Sequence, residues 1–309
     1  MSGLAAQPDH NPYVHGAAFV DGAFCPIGEA RIPLLDLGFT RSDATYDVVH
    51  VWNGRFFRLD VHLERFRASC DKMRFDLGYG TDDMADILHR IAALTGLKDL
   101  YVNITATRGP LPPGERNPLN CRNRLYAYAI PFVWIARPED QETGIDLIVA
   151  SARRVPMASF DQTIKNYQWG DLTSSLFEAA ERGAKIAVLP DGDGNVTEGP
   201  GINIFAYKDG VLMTPDTGVL HGITRRTALE LADGLNIETR VEPLAEETLR
   251  SCDEIFLTST AGGIMPVRTL DGEPVGDGTP GPLATRLRQL YWEAHDDPEF
   301  SEPVRMDEA

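Results

Sequence analysis

The chain has 309 residues, of which 43% are hydrophobic, 24% charged and 8% aromatic, a composition typical of globular proteins and unlike that of disordered or disulfide-stabilised ones. Its formal net charge of −17 repels phosphate backbones and anionic membrane surfaces, which argues against a nucleic-acid-binding protein. No apolar run reaches the roughly 18 residues of a membrane span, and the first residues lack the basic and apolar regions of a signal peptide, so we expect a cytoplasmic protein without a membrane partner.

The N-terminal part, residues 1–135, is predicted to form a small α+β domain. Two hairpins are expected first, with their turns at Asp21-Gly22 and Asn53-Gly54, because such pairs adopt the left-handed backbone of tight turns. A helix is then predicted from an N-cap at Asp60 to a stop at Gly78, and a second one from residue 81 to residue 96. Strands are predicted at 100–107 and 125–135, on either side of the loop GPLPPGERNP, whose glycines and prolines exclude regular structure.

The polar stretch ARPEDQETG, residues 136–144, is predicted to be the interdomain linker. Beyond it, residues 145–309 are predicted to form a larger mixed α/β domain, because strand and helix patterns alternate there. The predicted strands cover 145–152, 186–189, a hairpin around 208–210 and 254–258, and the predicted helices cover 172–183, 224–235 and 282–294.

Several common kinds of site are absent from the sequence. The four cysteines show no CxxC spacing, so neither a metal site nor a redox pair is indicated. Dinucleotide-binding, P-loop, zinc-protease and nucleophile-elbow motifs are also missing. The run that begins at Asp191 opens like a calcium loop, but its sixth position is Val196 and its twelfth is Ile202, so a hairpin turn is the better interpretation.

Lysine is scarce, with 5 residues against 24 arginines. Four of the lysines lie in patterns typical of solvated positions, on the polar side of a helix or in turns. Lys165 is different, because the surrounding TIKNYQWGD combines aromatic and small polar residues with no adjacent acid. Such surroundings favour the desolvated amine that a Schiff-base nucleophile requires, although a surface lysine remains the alternative.

Three further segments fit the same chemistry. Glu198 precedes two glycines in TEGPGINIF, where a carboxylate can face the nitrogen of a planar ring. The helix start GITRR, with Ile223 and Thr224, and the strand end TSTAGG, with Ser259 and Thr260, both supply backbone N–H groups and hydroxyls that suit a phosphate. Each segment alone is weak, but together they predict pyridoxal 5′-phosphate (PLP) as cofactor.

The order of TIKNYQWGDL, TEGPGINIF, GVLHGITRRT and CDEIFLTSTAGGIMPV resembles the class IV, or fold type IV, PLP-dependent aminotransferases. The resemblance implies a two-domain homodimer with PLP between the domains and with amines, amino acids and α-keto acids as substrates. It also implies that Lys165 binds PLP covalently and relays the proton, while Glu198 pairs with the pyridine nitrogen. Arg65 of HLERF, Ile223, Thr224, Ser259 and Thr260 would hold the phosphate.

Within that family, residues 33–60 are most similar to the (R)-selective amine transaminases. The likeness implies that Tyr46, Val48, Tyr101 and Trp169 shape the substrate pockets. Two residues depart from the pattern, since Arg41 stands where those enzymes often have His and Asn103 where they usually have Glu. Either Arg41 or Arg116, which lies in the Gly/Pro-rich loop, is the candidate for binding a substrate carboxylate.

The leading hypothesis is therefore a transaminase that uses an (R)-amine and an α-keto acid such as pyruvate. A D-amino-acid or branched-chain amino-acid aminotransferase is the alternative within the family. An aminodeoxychorismate lyase is disfavoured, because no special site for that dianion is visible. A PLP-binding protein without turnover is disfavoured by the presence of both Lys165 and Glu198.

Overall fold

The structure is a computed structural model that describes residues 11–306. These residues form two compact units. The first contains residues 11–67, 74–132 and 302–306, and the second contains residues 68–73 and 133–301. No helix within 11–306 has the length and apolar character needed to span a membrane.

Eight helices and eighteen strands lie in the described part of the chain. The helices are α1 (Leu37–Arg41), α2 (Leu59–Lys72), α3 (Thr81–Thr95), α4 (Pro138–Thr143), α5 (Gly170–Glu181), α6 (Ile223–Gly234), α7 (Glu246–Arg250) and α8 (Pro282–Glu293). The strands are β1 (Ala17–Val20), β2 (Ala23–Pro26), β3 (Ala44–Trp52), β4 (Arg55–Phe57), β5 (Leu100–Thr107), β6 (Arg124–Pro131), β7 (Ile145–Val149), β8 (Ile186–Val188), β9 (Asn195–Val196), β10 (Glu198–Gly199), β11 (Ile202–Lys208), β12 (Val211–Thr214), β13 (Glu238–Val241), β14 (Leu244–Ala245), β15 (Glu254–Ser259), β16 (Gly263–Leu270), β17 (Glu273–Pro274) and β18 (Ser301–Pro303).

The first unit contains a seven-stranded sheet in the order β18-β4-β3-β5-β6-β1-β2. Both predicted hairpin turns are confirmed, since Asp21, Gly22, Asn53 and Gly54 all have positive φ, as two-residue hairpin turns require. Helix α3 covers one face of the sheet, where it contacts β1, β5 and β6. The C-terminal strand β18 adds to the edge of this N-terminal sheet, which no local sequence pattern indicated.

The second unit contains a nine-stranded sheet whose main path is β13-β12-β11-β15-β16-β7-β8, with β10 paired to β11 and β17 to β16. The buried strands β7 and β8 direct alternate residues to opposite faces. Leu147 and Ile186 lie in one hydrophobic cluster of this unit, on one face of the sheet. Ile148 and Ala187 lie in a second cluster, together with Leu172 of α5. The mixed parallel and antiparallel pairing confirms the predicted α/β character of this half.

The limits of α2 differ from the prediction. The carbonyl of Arg58 accepts the first helical hydrogen bond, from the N–H of His62, so Asp60 lies in the first turn and is not the N-cap. The helix ends at Lys72 because Arg74, with φ of 56°, takes the left-handed conformation that had been expected at Gly78. The helix predicted from residue 81 is confirmed, with Gly96 as its C-cap.

The segment predicted as the interdomain linker lies within the second unit. Most of it forms α4, and Gln141 of that helix is buried and donates to the carbonyls of Ala136 and Gly262 at 2.8 and 3.0 Å. The polar composition of 136–144 therefore reflects the solvent side of a short packed helix. The strand predicted at 125–135 ends at Pro131, because Leu100, the first residue of β5, is its last partner.

Candidate active site

Lys165 lies half-buried in the loop between β7 and α5. Asn166 builds the turn around it: its Nδ2 donates to the carbonyl of Ile164 at 2.8 Å and its Oδ1 accepts from the N–H of Gln168 at 2.7 Å. The indole Nε1 of Trp169 donates to the Asn166 carbonyl at 3.1 Å. These bonds hold the backbone on both sides of Lys165 in one conformation.

A second lysine fastens the same loop. Lys72, at the end of α2, donates from Nζ to Asp161 Oδ2 at 2.8 Å and to Thr163 Oγ1 at 2.5 Å. Its side chain is 47% exposed, in agreement with the solvated position predicted from the sequence. The sequence did not indicate that this surface lysine holds the segment that carries Lys165.

Glu198 of β10 is buried, with 6% of its surface exposed. Its Oε1 accepts from Nε and NH2 of Arg154 at 3.2 and 3.1 Å, and its Oε2 accepts from the N–H of Leu220 at 2.8 Å. Burial raises the pKa of Glu198, while Arg154, the Leu220 N–H and the ammonium of Lys165 oppose that rise. Glu198, which lies far from Lys165 in the chain, is thus an acid whose charge interacts with that of the lysine.

The two glycines after Glu198 meet different requirements of the backbone. A Cβ at Gly199 would lie 2.0 Å from the Ala187 carbonyl oxygen, so this glycine permits the close approach of β10 to β8. Gly201 has φ of 71°, which favours glycine in the turn into β11. A Cβ there would lie 3.9 Å from the Trp169 ring, so the loop of Lys165 and the turn after Glu198 are neighbours.

Asn203 connects the carboxylate segment to the start of α6. It is the strand partner of Glu198 on one side and of Thr258 on the other, and its Nδ2 donates to the Leu220 carbonyl at 2.9 Å. A Cβ at Gly222 would lie 2.1 Å from Asn203 Oδ1, which explains the glycine before α6. The residues Glu198, Leu220 and Gly222 are therefore fixed relative to one another.

The two predicted phosphate-binding segments meet through this connection. Helix α6 begins at Ile223 without a side-chain cap, so the N–H groups of its first turn, including Thr224, are suited to an anion. In β15, Thr258 Oγ1 is buried with no hydrogen-bond partner among the described residues. Ser259 Oγ accepts from the Ala261 N–H at 3.2 Å, and Thr260 is half-buried at the turn that follows. This set of donors fits a phosphate ester.

Arg65 belongs to a buried ionic cluster in the first unit. Its Nε and NH2 donate to the two carboxylate oxygens of Asp47 at 2.7 and 2.8 Å. Asp47 Oδ1 also lies 2.7 Å from Nδ1 of His62 and accepts from the Val48 N–H at 2.7 Å. Although burial raises the pKa of Asp47, Arg65 and His62 together lower it well below its usual range. The guanidinium is therefore held rigidly by an ionised partner.

Four of the predicted substrate residues share one face of the first sheet. Val48 pairs directly with Asn103 across β3 and β5, and Tyr46 and Tyr101 lie two residues before them on their strands. Because strand side chains alternate between faces, all four point to the same side. Asn103 is buried, and its Oδ1 accepts from Thr105 Oγ1 at 2.7 Å.

Arg41 and Arg116 are both exposed. Arg41 is the last residue of α1, and Arg116 lies in the predicted loop, which contains a single short helical turn at Pro118–Asn120. The segments that carry them touch at an isolated bridge between Asp36 and Pro110, and the Leu37 N–H donates to the Gly109 carbonyl at 3.2 Å.

Sequence reasoning missed Arg154 and Asp171. Arg154 is buried and donates from NH1 to Asp171 Oδ2 at 2.6 Å, in addition to its bonds with Glu198. The sequence feature that could have indicated this pair is Asp171, which lies in the motif TIKNYQWGDL and in the first turn of α5. A buried acid requires a partner. Nothing in the sequence around Arg154 distinguishes it from its exposed neighbour Arg153.

Comparison with known proteins shows the family of the chain. Residues 44–270 match the family described as Amino-transferase class IV. A branched-chain-amino-acid aminotransferase of Salmonella typhimurium is 32% identical over 241 residues, covering 76% of this chain and 77% of the relative. A D-alanine aminotransferase of Staphylococcus haemolyticus is 29% identical, covering 88% and 95% of the two chains.

The fold is also shared with solved structures. A branched-chain amino acid aminotransferase of T.th., solved with pyridoxamine 5′-phosphate, superposes with a TM-score of 0.87 at 28% identity, covering 94% of this chain and 99% of that one. The chain belongs to the class IV aminotransferases. It is a fold type IV enzyme that uses PLP, as the four sequence segments predicted.

Proposed function

We propose that the enzyme transfers an amino group from an (R)-amine to an α-keto acid such as pyruvate. The observation that carries this proposal is the face of the first sheet on which Tyr46, Val48, Tyr101 and Asn103 lie together. None of the four side chains is charged, so an apolar amine without a carboxylate can bind there without leaving a buried cation unpaired. Trp169 would supply a further aromatic surface.

A D-amino-acid or branched-chain amino-acid aminotransferase is the second candidate. Relatives at 29–32% identity carry the names D-alanine aminotransferase and branched-chain-amino-acid aminotransferase. Asn103 supports this alternative, because a neutral amide does not repel the carboxylate that an amino-acid donor carries. A carboxylate-binding arginine would still be needed, and Arg41 and Arg116 are the candidates.

Half-reaction spectra of the purified holoenzyme distinguish these functions. We expect (R)-1-phenylethylamine to convert the bound cofactor to its amino form faster than D-alanine or L-leucine does. A faster conversion by D-alanine would identify a D-amino-acid aminotransferase, and one by L-leucine a branched-chain enzyme. The spectrum of the (S)-amine serves as the stereochemical control.

The cofactor contacts are part of the same proposal. PLP supplies an aldehyde for covalent attachment and a protonated ring that accepts electrons when a bond at the substrate carbon breaks. Lys165 would bind the aldehyde carbon and carry the proton, and Glu198 would hold the proton on the ring nitrogen. The start of α6 at Ile223 and Thr224, with Arg65, Ser259 and Thr260, would hold the phosphate. The N–H, hydroxyl and guanidinium donors of these residues support the roles.

Replacing Arg65 with alanine is expected to weaken PLP binding by about 1.5–3 kcal/mol, the usual contribution of a hydrogen bond to a charged group. The dissociation constant of PLP, measured by titrating the apoprotein, and cofactor loss during dialysis both test this. Arg67→Ala is the matched control, because Arg67 lies on the same helix and donates to the Tyr79 carbonyl. An unchanged PLP dissociation constant in Arg65→Ala would leave Arg65 with a structural role through Asp47.

Arg116 is expected to bind the carboxylate of the keto acid by moving with its loop. This movement would let one pocket accept both an amine that has no carboxylate and a keto acid that has one. Arg116→Ala should then raise KM for pyruvate by about 10- to 100-fold while the half-reaction with (R)-1-phenylethylamine changes little. Steady-state kinetics with pyruvate and single-turnover spectra with the amine measure the two effects separately.

Arg41→Ala is the matched comparison, because both arginines are exposed and their segments are in contact. If Arg41→Ala shows the selective loss for pyruvate, the carboxylate site belongs to α1 and a D-amino-acid aminotransferase becomes the better assignment. Equal losses for both substrates would indicate a folding defect, and no loss in either variant would exclude both arginines.

We also propose that the enzyme is a homodimer that acts in the cytoplasm. The first unit exposes Leu34 and Leu35, each 72% accessible, next to exposed Ile32 and Phe39. Such a run of exposed apolar residues is typical of a surface that another protein covers, and a second copy of the chain is the occupant we expect. Analytical ultracentrifugation should give twice the chain mass of 34.0 kDa, and Leu34→Asp with Leu35→Asp should shift it toward the monomer.

A further inference from the structure

Arg154 is in direct contact with Glu198. It lies in the loop after β7, with a side chain only 6% exposed. Three of its nitrogens are engaged by two carboxylates: Nε and NH2 donate to Glu198 Oε1, and NH1 donates to Asp171 Oδ2. The planar guanidinium is therefore fixed between the two acids.

Asp171 is in turn fixed to the backbone. Its Oδ2 also accepts from the Val155 N–H at 2.9 Å, and its Oδ1 accepts from the Leu172 N–H at 2.8 Å. These bonds hold Asp171 at the start of α5 and join it to the residue that follows Arg154. Rotation of the arginine away from Glu198 would break the contact with Asp171 as well.

The hydrogen bonds at Glu198 leave one oxygen with spare capacity. A carboxylate has about four lone-pair positions, two on each oxygen. Arg154 occupies both positions of Oε1, while the Leu220 N–H occupies one position of Oε2. A further donor is therefore accommodated at Oε2, and Arg154 does not compete for it.

The charges that face Glu198 come from several parts of the second unit. Arg154 makes the largest contribution that opposes the effect of burial on the pKa of Glu198, ahead of the Leu220 N–H and the ammonium of Lys165. Arg225 of α6 also interacts with Glu198, but it donates to Thr214 and Pro215 and lies close to Asp216. After burial, which raises the pKa, Arg154 is thus the group with the largest effect on the charge of this carboxylate.

We propose that Arg154 is a positioning residue that decides where the proton shared between Glu198 and the PLP ring nitrogen resides. By stabilising the carboxylate, Arg154 lowers its affinity for the proton and leaves the proton on the ring nitrogen, while Asp171 keeps Arg154 in place. The inference rests on the proposed pairing of Glu198 with that nitrogen. The equilibrium is the transfer of one proton between Oε2 of Glu198 and the PLP ring nitrogen, so atoms and charge balance.

The test is the ¹⁵N chemical shift of the ring nitrogen in holoenzyme loaded with ¹⁵N-labelled PLP, followed as a function of pH. In the parent enzyme we expect the shift of a protonated pyridine at neutral pH. In Arg154→Met it should move toward that of a neutral pyridine, and in Arg154→Lys, which keeps the charge but not the fork of donors, it should move less. Arg153→Met removes an exposed neighbouring arginine and should leave the shift unchanged.

Two comparisons separate failure of this inference from failure of the proposed function. If Glu198→Gln leaves the ¹⁵N shift unchanged, Glu198 does not pair with the ring nitrogen and the proposed function loses that contact. If Glu198→Gln changes the shift and Arg154→Met does not, the role of Arg154 alone is overturned. In the Glu198→Gln background, Arg154→Met should have no further effect on the shift, as expected for residues that act through one another.

Arg154→Met would leave the buried carboxylate of Glu198 unpaired, which is itself destabilising, so this variant is at risk of folding poorly. A measurement of stability then tests the proposal. In that case the double variant Arg154→Met with Glu198→Gln removes one buried charge and should recover thermal stability relative to Arg154→Met. Recovery supports the action of Arg154 on the charge of Glu198. Equal instability of the single and double variants would assign Arg154 a structural role through Asp171 and overturn the proposal.

Discussion

Lys165→Ala is expected to abolish turnover and the visible absorbance band of covalently bound PLP. The charge of Lys165 acts on the buried Glu198, and the loop that carries Lys165 is held by Asn166 and by Lys72. Without the amine, no nucleophile in this loop can bind the aldehyde, and no base can carry the proton at the substrate carbon. Absorbance spectra of the purified variant, before and after addition of PLP, measure the first effect and kinetic assays the second.

Lys185→Ala is the matched control. Lys185 forms an ion pair with Asp140 at 3.1 Å, and its side chain is 43% exposed, so its loss should change neither the spectrum nor the rate. Turnover close to that of the parent enzyme in Lys165→Ala would show that another lysine is the nucleophile. Circular dichroism of the variant distinguishes loss of chemistry from loss of fold.

Glu198→Gln should retain bound PLP and lose kcat by orders of magnitude. The neutral amide cannot hold a proton on the ring nitrogen, so the ring becomes a weaker electron acceptor. Retention is expected because the covalent link to Lys165 and the phosphate contacts near α6 remain. The ratio of bound PLP to protein and the single-turnover rate, measured on the same preparation, separate the two effects.

The same substitution has a structural cost. Glu198 accepts from Arg154 on one oxygen and from the Leu220 N–H on the other, so either orientation of the glutamine amide places its NH₂ against a donor. We expect a loss of about 1–3 kcal/mol in the free energy of unfolding for the unsatisfied group, measured by urea titration.

Glu230→Gln serves as the matched control, because Glu230 is an exposed glutamate paired with Arg226, and little change in stability or kcat is expected. An unchanged kcat in Glu198→Gln would refute the pairing with the ring nitrogen. Loss of PLP with normal chemistry after reconstitution would instead make Glu198 a structural residue.

Much of the fold was predictable from local rules. The hairpin turns at Asp21-Gly22 and Asn53-Gly54 follow from the preference of such residues for positive φ, and α3 follows from its apolar stripe and from Gly96 at its C-cap. The choice of Lys165 also came from local composition, because the other lysines lie in ordinary solvated patterns. These predictions depend only on residues close together in the chain.

The helix and domain limits were less predictable. Arg74 ends α2 with a left-handed backbone that the sequence offers more naturally at Gly78, because packing and not intrinsic preference decides where the last turn ends. The polar residues of 136–144 were interpreted as a linker, but a short helix with one buried side, marked by Gln141, has the same composition.

By itself the sequence determined the order of the motifs, the cofactor they imply, and the family to which the chain belongs. Only the tertiary structure revealed the partners of those motifs. Asp47 binds both Arg65 and His62. Arg154 binds Glu198, and Asn203 connects Glu198 to the start of α6. Arg154 and Glu198 are 44 residues apart in the chain, and no periodicity or turn rule operates over that distance. Their contact depends on the pairing of distant strands, which places two charged groups together out of water, where each makes the burial of the other possible.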